Sequence, residues 1–391
     1  MGRPKKNEEK PKAEPNDKAL QKALDDLDDI NPDASTLSES SLSFVNDWID
    51  TGCYALNAII SGSVFKGIPS GRVSGLYGLQ QTGKTLIMNK ILANAQAKGY
   101  RAVYFDSENA LDIATAERLG CDASKIKHAP IETVEDCKHQ IVTLLNKLIE
   151  ANLKRKLIIF IDSIGNLVTR KELDDAAEGS GASDMGSKAK HISSLIRTIT
   201  GRAARAEVPV IFSNHIYMNP AEQHPTLIKQ QAGGLRPLYI ASLLVQLSTT
   251  NEKIDDKNTS EKSDMSTKVS GINLRAVTAK NRFVIPFLET TLYLNFKTGL
   301  SKYVGLFDMA LACKVIQQSG STYSIGDQII GARAKVEDNA EFWESKWGDK
   351  TPLQLLDDAL QKELKYSNVG DTIESLEIEA EEIADGNQPK T

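Results

Sequence analysis

Residues 78 to 85 read Gly78-Leu-Gln-Gln-Thr-Gly83-Lys84-Thr85, two glycines followed by a lysine and a hydroxyl side chain. That order is the phosphate-loop signature, and each residue type in it has a chemical reason. Gly78 and Gly83 let backbone N–H groups face a triphosphate, while Gln80, Gln81 and Thr82 span the turn between them. Leu86 continues into a helix whose N-terminus adds positive potential. Lys84 would reach the β and γ phosphates, and the Thr85 hydroxyl would ligate Mg²⁺. The cofactors expected from this turn are ATP and Mg²⁺.

The metal also needs a carboxylate to hold its water shell, and the apolar run Leu157-Ile-Ile-Phe-Ile161-Asp162 delivers Asp162 at a strand end. Hydrolysis further requires a group that orients water against the γ phosphate. The segment Tyr104-Phe-Asp-Ser-Glu108-Asn-Ala-Leu-Asp112 offers three carboxylates just beyond another strand, where the carboxyl ends of parallel strands put reactive groups. Spacing alone does not choose among Asp106, Glu108 and Asp112.

A scaffold must position these residues, and the pattern from about 41 to 300 supplies one. Short apolar runs at 72–77, 102–105, 157–161, 210–213, 243–247 and 271–277 alternate with helical stretches at 85–98, 133–150 and 187–205. This is the pattern of an α/β core with a mostly parallel sheet and crossover helices. Residues 251–270 form a polar interruption, expected as a hairpin or loop. From 301 to about 370, Trp343, Trp347 and a helix over 353–364 suggest a small appended lobe. Residues 1–40 are polar and poor in aromatics, so most of this segment is expected to be disordered. Leu20, Leu24 and Leu27, at helical spacing beside Asp25, Asp26, Asp28 and Asp29, could form one short amphipathic helix there.

The 391 residues, 40% hydrophobic and 25% charged, suit a globular protein of two or three domains. No apolar run is long enough to cross a membrane, and the start is charged, so a soluble, cytoplasmic protein without a membrane partner is expected. Cys53, Cys121, Cys137 and Cys313 lie far apart without a CxxC pair, which excludes a zinc module and argues against a disulfide framework. His128, His139, His191 and His224 have no metal-ligand spacing and take no role. The net charge of −5 is unevenly spread: residues 371–391 hold seven acids and one lysine, leaving the preceding residues at +1. An acidic tail of this kind accompanies nucleic-acid partners or autoinhibition.

Five segments carry a family resemblance by order and approximate spacing: Gly67 to Arg72 with the phosphate loop, Tyr104 to Asp112, Ile161 to Ser163, Ser213 to His215, and Ala279 to Pro286. Over about residues 50 to 310 the chain resembles the RecA-type strand-exchange recombinases. Among these it looks closest to the phage UvsX-like branch, through Ser213-Asn-His215 and the later Phe342-Trp343. The resemblance implies a RecA-like phosphate-loop core, and it makes Glu108 the carboxylate that activates the attacking water. Asp112 becomes a residue near the adenine, and His215 the polar sensor, Gln in bacterial relatives, that reads the γ phosphate. Thr115 stands where those relatives stack a Tyr on the base, so the chain departs from the pattern there.

Lys280 and Arg282 are similar to the paired cations that reach across a protomer interface to the neighbour's γ phosphate. Two cations two positions apart project from one face of an extended strand, and cations beside a phosphoryl group stabilise its transition-state charge. A shared ATP site implies self-assembly into a helical filament, a head-to-tail contact that does not close. Two loops would hold DNA. The first, about 170–186, includes Arg170 and Lys171, with Lys188 opening the next helix; its glycines suit a flexible segment. The second, about 217–238, contains Lys229, Gly233, Gly234 and Arg236. Contacts from these cations to phosphates carry affinity without sequence information.

The expectation is an ATP-dependent homologous recombinase that coats single-stranded DNA, pairs it with duplex DNA and releases product on hydrolysis. Single-strand-binding and mediator proteins are the accessory partners the resemblance implies, and the protein would be phage-encoded and act in the bacterial host cytoplasm. Two alternatives share the motifs: a ring-forming replicative helicase on the same core, and a non-catalytic recombination mediator. The Lys280-Asn281-Arg282 wording and the short polar segment before the core oppose the first. Intact Lys84, Thr85, Glu108 and Asp162 oppose the second.

Overall fold

The computed structural model describes residues 15–31, 33–40, 42–179, 185–216, 240–255, 269–296 and 298–364. The chain divides between Val45 and Asn46 into two units. The first contains the helix α1 (Pro15–Ile30), with Leu20, Leu24 and Leu27 exposed along it. The expected amphipathic helix is present and extends well beyond its three leucines.

The second unit begins with β1 (Trp48–Ile49), α2 (Tyr54–Ser61), β2 (Ile68–Pro69), β3 (Val73–Gly78) and α3 (Lys84–Ala97). It continues with β4 (Arg101–Asp106), α4 (Ile113–Arg118), β5 (Ile126–Pro130), α5 (Val134–Glu150), β6 (Leu157–Asp162), α6 (Arg170–Ala177) and α7 (Met185–Ala206). There follow β7 (Val210–His215), β8 (Leu243–Asp255), β9 (Val269–Asn281), β10 (Glu289–Asn295) and β11 (Gly299–Leu300). Strands β3 to β11 form one sheet in the order β11-β10-β9-β8-β3-β7-β6-β4-β5. From β8 to β5 every neighbouring pair is parallel, and β9, β10 and β11 join antiparallel.

Alternation along the buried strands sorts the core into two layers. Ile158 and Phe160 of β6 and Ile211 of β7 face one side, with Ile87 and Ile91 of α3. Ile159, Ile161 and Phe212 face the other, with Cys137 and Ile141 of α5 and Ile196 and Ile199 of α7. Each fully buried side chain of this size contributes about 1.5–3 kcal/mol. Burial pushes the Cys53 and Cys137 thiols up to about 12, consistent with cysteines that act as small apolar side chains.

Two sequence expectations differ from the structure. The segment after residue 300 packs Leu306, Phe307, Trp343 and Leu356 into the first of these core layers, so it is continuous with the core. The strands flanking the polar interruption are also longer than their apolar runs, because the antiparallel pairing of β8 with β9 continues to Asp255 and Val269.

Candidate active site

The phosphate loop joins buried β3 to the N-terminus of α3. A Cβ on Gly78 would lie 2.8 Å from the Leu247 carbonyl oxygen, and Gly83 has φ 74°, so glycine is needed at both positions. The Lys84 ammonium folds over the turn and donates to the carbonyls of Gly78 (3.1 Å) and Leu79 (2.8 Å). Burial lowers its pKa, while the Asp162 and Glu108 carboxylates oppose that shift. A cleft of about 310 Å³ opens here, lined by Gln80, Gln81, Thr82, Gly83, Lys84, Thr85 and Leu86, with Glu108, Asp162 and His215 opposite. Ile272, Leu294 and Phe296, which sequence reasoning had not singled out, supply an apolar wall.

Thr85 Oγ1 donates to Asp162 Oδ2 at 2.8 Å, placing hydroxyl and carboxylate side by side. With phosphate oxygens and waters they make an all-oxygen donor set of the kind Mg²⁺ takes. Among the described residues no cluster of three or more His, Cys, Asp or Glu could hold a metal by itself. By the chemistry of its oxygen donors, the Thr85–Asp162 pair fits Mg²⁺. Tyr104 and Ser213, neither foreseen as site residues, also donate to Asp162.

The structure separates the three carboxylates that spacing left equivalent. Asp106 is buried and accepts backbone N–H groups of Glu108 (3.0 Å), Ala110 (3.3 Å) and Leu111 (3.1 Å). His128 Nε2 lies 3.2 Å from its other side, giving that histidine a structural role the sequence did not disclose. Asp112 caps α4, accepting from Thr115 N at 2.8 Å, and is not among the residues lining the cleft. Only Glu108 enters the cleft. Its Oε1 accepts from Ser163 Oγ at 2.7 Å and meets His215 Nε2 at 2.8 Å. The hydrogen bond from His215 holds its carboxyl below the usual range; burial opposes this, while Ser163 and the Lys84 charge act with the histidine. His215 Nδ1 lies 3.5 Å from Lys84 Nζ.

Strand register places Lys280 and Arg282 elsewhere. Leu244 of β8 pairs with Gly75 on one side and Lys280 on the other, whereas Leu247 pairs with Gly78 and Ala276. The cations therefore leave the sheet at the end opposite the phosphate loop, with Lys280 about 10 Å below Gly78 along the strands. Asn281 between them is buried, and its side chain donates to the carbonyls of Ile59 (3.1 Å) and Ile60 (2.9 Å), anchoring the pair. Burial, then the Arg282 charge, pushes the Lys280 ammonium down to about 8. Arg72, at the start of β3, belongs to the same charged end: burial lowers its pKa first, then Arg282.

A family model described as the RecA N-terminal domain matches residues 18–301. The chain belongs to the RecA family. Protein RecA of Thermus thermophilus is 30% identical over 292 residues, covering 73% of this chain and 77% of the relative. Protein RecA of Nitratidesulfovibrio vulgaris is 27% identical over 284 residues, covering 71% and 74%. That of Borreliella afzelii is 28% identical over 283 residues, covering 71% and 73%. The chain is thus a RecA-type recombinase and a DNA-dependent ATPase, of a family that uses ATP with Mg²⁺.

The first expected DNA segment of this RecA-type chain differs locally from the sequence reading. Residues 170–177 are the helix α6, closed at its start by a reciprocal Thr169–Glu172 capping box, and not a flexible loop. The Arg170 guanidinium pairs with Asp136, which raises its pKa, and its backbone N–H donates to Glu135. Lys171 is exposed. Lys188 is half-buried and donates to the Gly165 carbonyl at 2.8 Å. Lys229, Gly233, Gly234 and Arg236 lie outside the described residues, as do the tail acids from Asp371 onward.

Proposed function

We propose that the recombinase works as a helical filament on single-stranded DNA whose ATP sites are each completed by a neighbouring copy. One observation carries this reading: Lys84, Glu108, Asp162 and His215 converge on one cleft, while Lys280 and Arg282 sit at the opposite end of the same sheet. A head-to-tail stack of copies brings one copy's cations to the next copy's phosphates, and such a contact propagates.

Within the cleft, Lys84 and the loop amides bind the phosphates and Thr85 and Asp162 hold Mg²⁺. Glu108 orients the attacking water. Mg²⁺, when bound, neutralises charge on the β and γ oxygens. His215 touches both Glu108 and Lys84, so it senses whether a γ phosphate has displaced Lys84 from the turn carbonyls. The partners of this cycle are single-stranded and duplex DNA, the filament itself, and single-strand-binding and mediator proteins. His215 in place of Gln, together with Phe342-Trp343, supports assignment to the phage UvsX-like branch and to the host cytoplasm.

Negative-stain imaging of the protein on single-stranded DNA tests this, with a non-hydrolysable ATP analogue and a nucleotide-free control. Continuous filaments that require nucleotide are expected. Closed rings would indicate the helicase alternative, and isolated particles whose activity survives Lys84→Ala would indicate a mediator.

A further inference from the structure

Asp162 is 1% exposed, and its carboxylate accepts three hydroxyl hydrogen bonds. Only Thr85 belongs to the wall of the cleft. Tyr104 and Ser213 are fully buried and come from β4 and β7, the two strands that flank β6 in the sheet. Tyr104 OH donates to Oδ2 at 2.8 Å, the same oxygen that accepts from Thr85, and Ser213 donates to Oδ1. The carboxylate at the end of β6 is thus clamped from both sides.

Packing does not explain the Tyr104 hydroxyl. The ring stacks on Phe160 with centroids 5.6 Å apart and planes 20° apart, a contact phenylalanine would make equally well. What the hydroxyl adds is a donor on Asp162. Thr85 gives its proton to Asp162, so its oxygen lone pairs remain turned toward the cleft. That arrangement lasts only while Oδ2 stays beside Thr85, and a carboxylate held by a single hydroxyl could rotate away.

We propose that Tyr104 is a positioning residue for the metal half of the site, its buried hydroxyl locking Asp162 so that Thr85 presents its oxygen to Mg²⁺. The proposal rests on the reading of Thr85 and Asp162 as the metal-holding pair. Ser213 acts in the same lock on the other oxygen. Groups that orient metal ligands from outside the coordination sphere typically change metal affinity by about 10–100-fold.

The test is calorimetric binding of a non-hydrolysable ATP analogue to the full-length wild type, Tyr104→Phe and Ser213→Ala, from excess chelator to saturating Mg²⁺. Tyr104→Phe is expected to raise the half-saturating Mg²⁺ concentration about tenfold while leaving the analogue's affinity in chelator unchanged. Ser213→Ala should move it in the same direction. A Tyr104→Phe curve superimposed on the wild type overturns the proposal. So does an equal loss with and without metal, which would mark the hydroxyl as merely structural. Asp162→Asn separates the underlying reading: if wild type and Asp162→Asn share one Mg²⁺ curve, the metal assignment fails and Tyr104's role fails with it.

Discussion

His215 Nε2 lies 2.8 Å from Glu108 Oε1, joining the end of β7 to the loop after β4. Lys84 Nζ lies 3.5 Å from the other ring nitrogen, so the imidazole bridges the carboxylate and the phosphate-loop cation. This bond is the largest cause holding the Glu108 carboxyl below its ordinary range. Removing it in His215→Ala raises the carboxyl pKa toward the usual value of about 4.3, so more of the base is protonated at a given acidic pH. The acidic limb of the pH profile of DNA-dependent ATP hydrolysis should move to higher pH. His215→Gln keeps a donor and should move it less. Coincident acidic limbs in all three proteins would remove Glu108 from this coupling.

The three nearby carboxylates should separate in a mutational series. Glu108→Gln is expected to lower kcat by about 10²–10⁴-fold with analogue binding retained. Asp112→Asn should be close to wild type, because asparagine also caps a helix and the side chain is outside the cleft lining. Asp106→Asn should lower both kcat and Tm, since the buried carboxylate holds three backbone N–H groups of the loop that carries Glu108. Steady-state rates and thermal unfolding of the three variants decide the matter.

The parts legible in the sequence were those whose chemistry is local in the chain. The phosphate loop is one short run, and Asp162 follows its own apolar strand. Tyr104, Ser213 and Ser163 were not legible as site residues, because each acts on a carboxylate 51 to 58 residues away. Those contacts depend on the strand order β7-β6-β4, which periodicity does not encode. The helix α6 was hidden by its polar composition, although Thr169 and Glu172 at capping-box spacing were a readable signal. Strand β5 lies at the sheet edge, partly exposed, and offers no apolar run. The missed β10 carried a usable clue, with Thr290, Leu292 and Leu294 turned inward at period two.

Phe296 bears on the departure at Thr115. The threonine sits on α4 with its N–H bound to Asp112, whereas Phe296 is 53% exposed and lines the nucleotide cleft. An aromatic face in that position can stack on a base, worth about 1–3 kcal/mol. Phe296→Ala should therefore weaken ATP-analogue binding by roughly 5–150-fold, and Phe296→Tyr should not. Inorganic triphosphate, which has no base, should bind wild type and Phe296→Ala equally; a parallel loss for triphosphate would place Phe296 in the packing of the wall instead.

The cationic end of the sheet gives a prediction that tests sharing of the site directly. Lys280 titrates near 8 in the isolated chain, because burial and Arg282 both disfavour its charge. It is charged below that pH and neutral above it, so nucleotide-dependent assembly on DNA should weaken as pH rises through about 8. Lys280→Arg should carry assembly to higher pH, since guanidinium keeps its charge. Complementation then separates cis from trans action. Lys84→Ala lacks the phosphate-loop cation and Lys280→Ala lacks the one at the far end, so neither should hydrolyse ATP alone. In an equal mixture, about a quarter of random head-to-tail contacts join an intact phosphate loop to an intact Lys280. DNA-dependent hydrolysis by the mixture should recover toward that fraction of the wild-type rate. A mixture as inactive as its components would mean that each copy needs its own Lys280, which the strand register opposes.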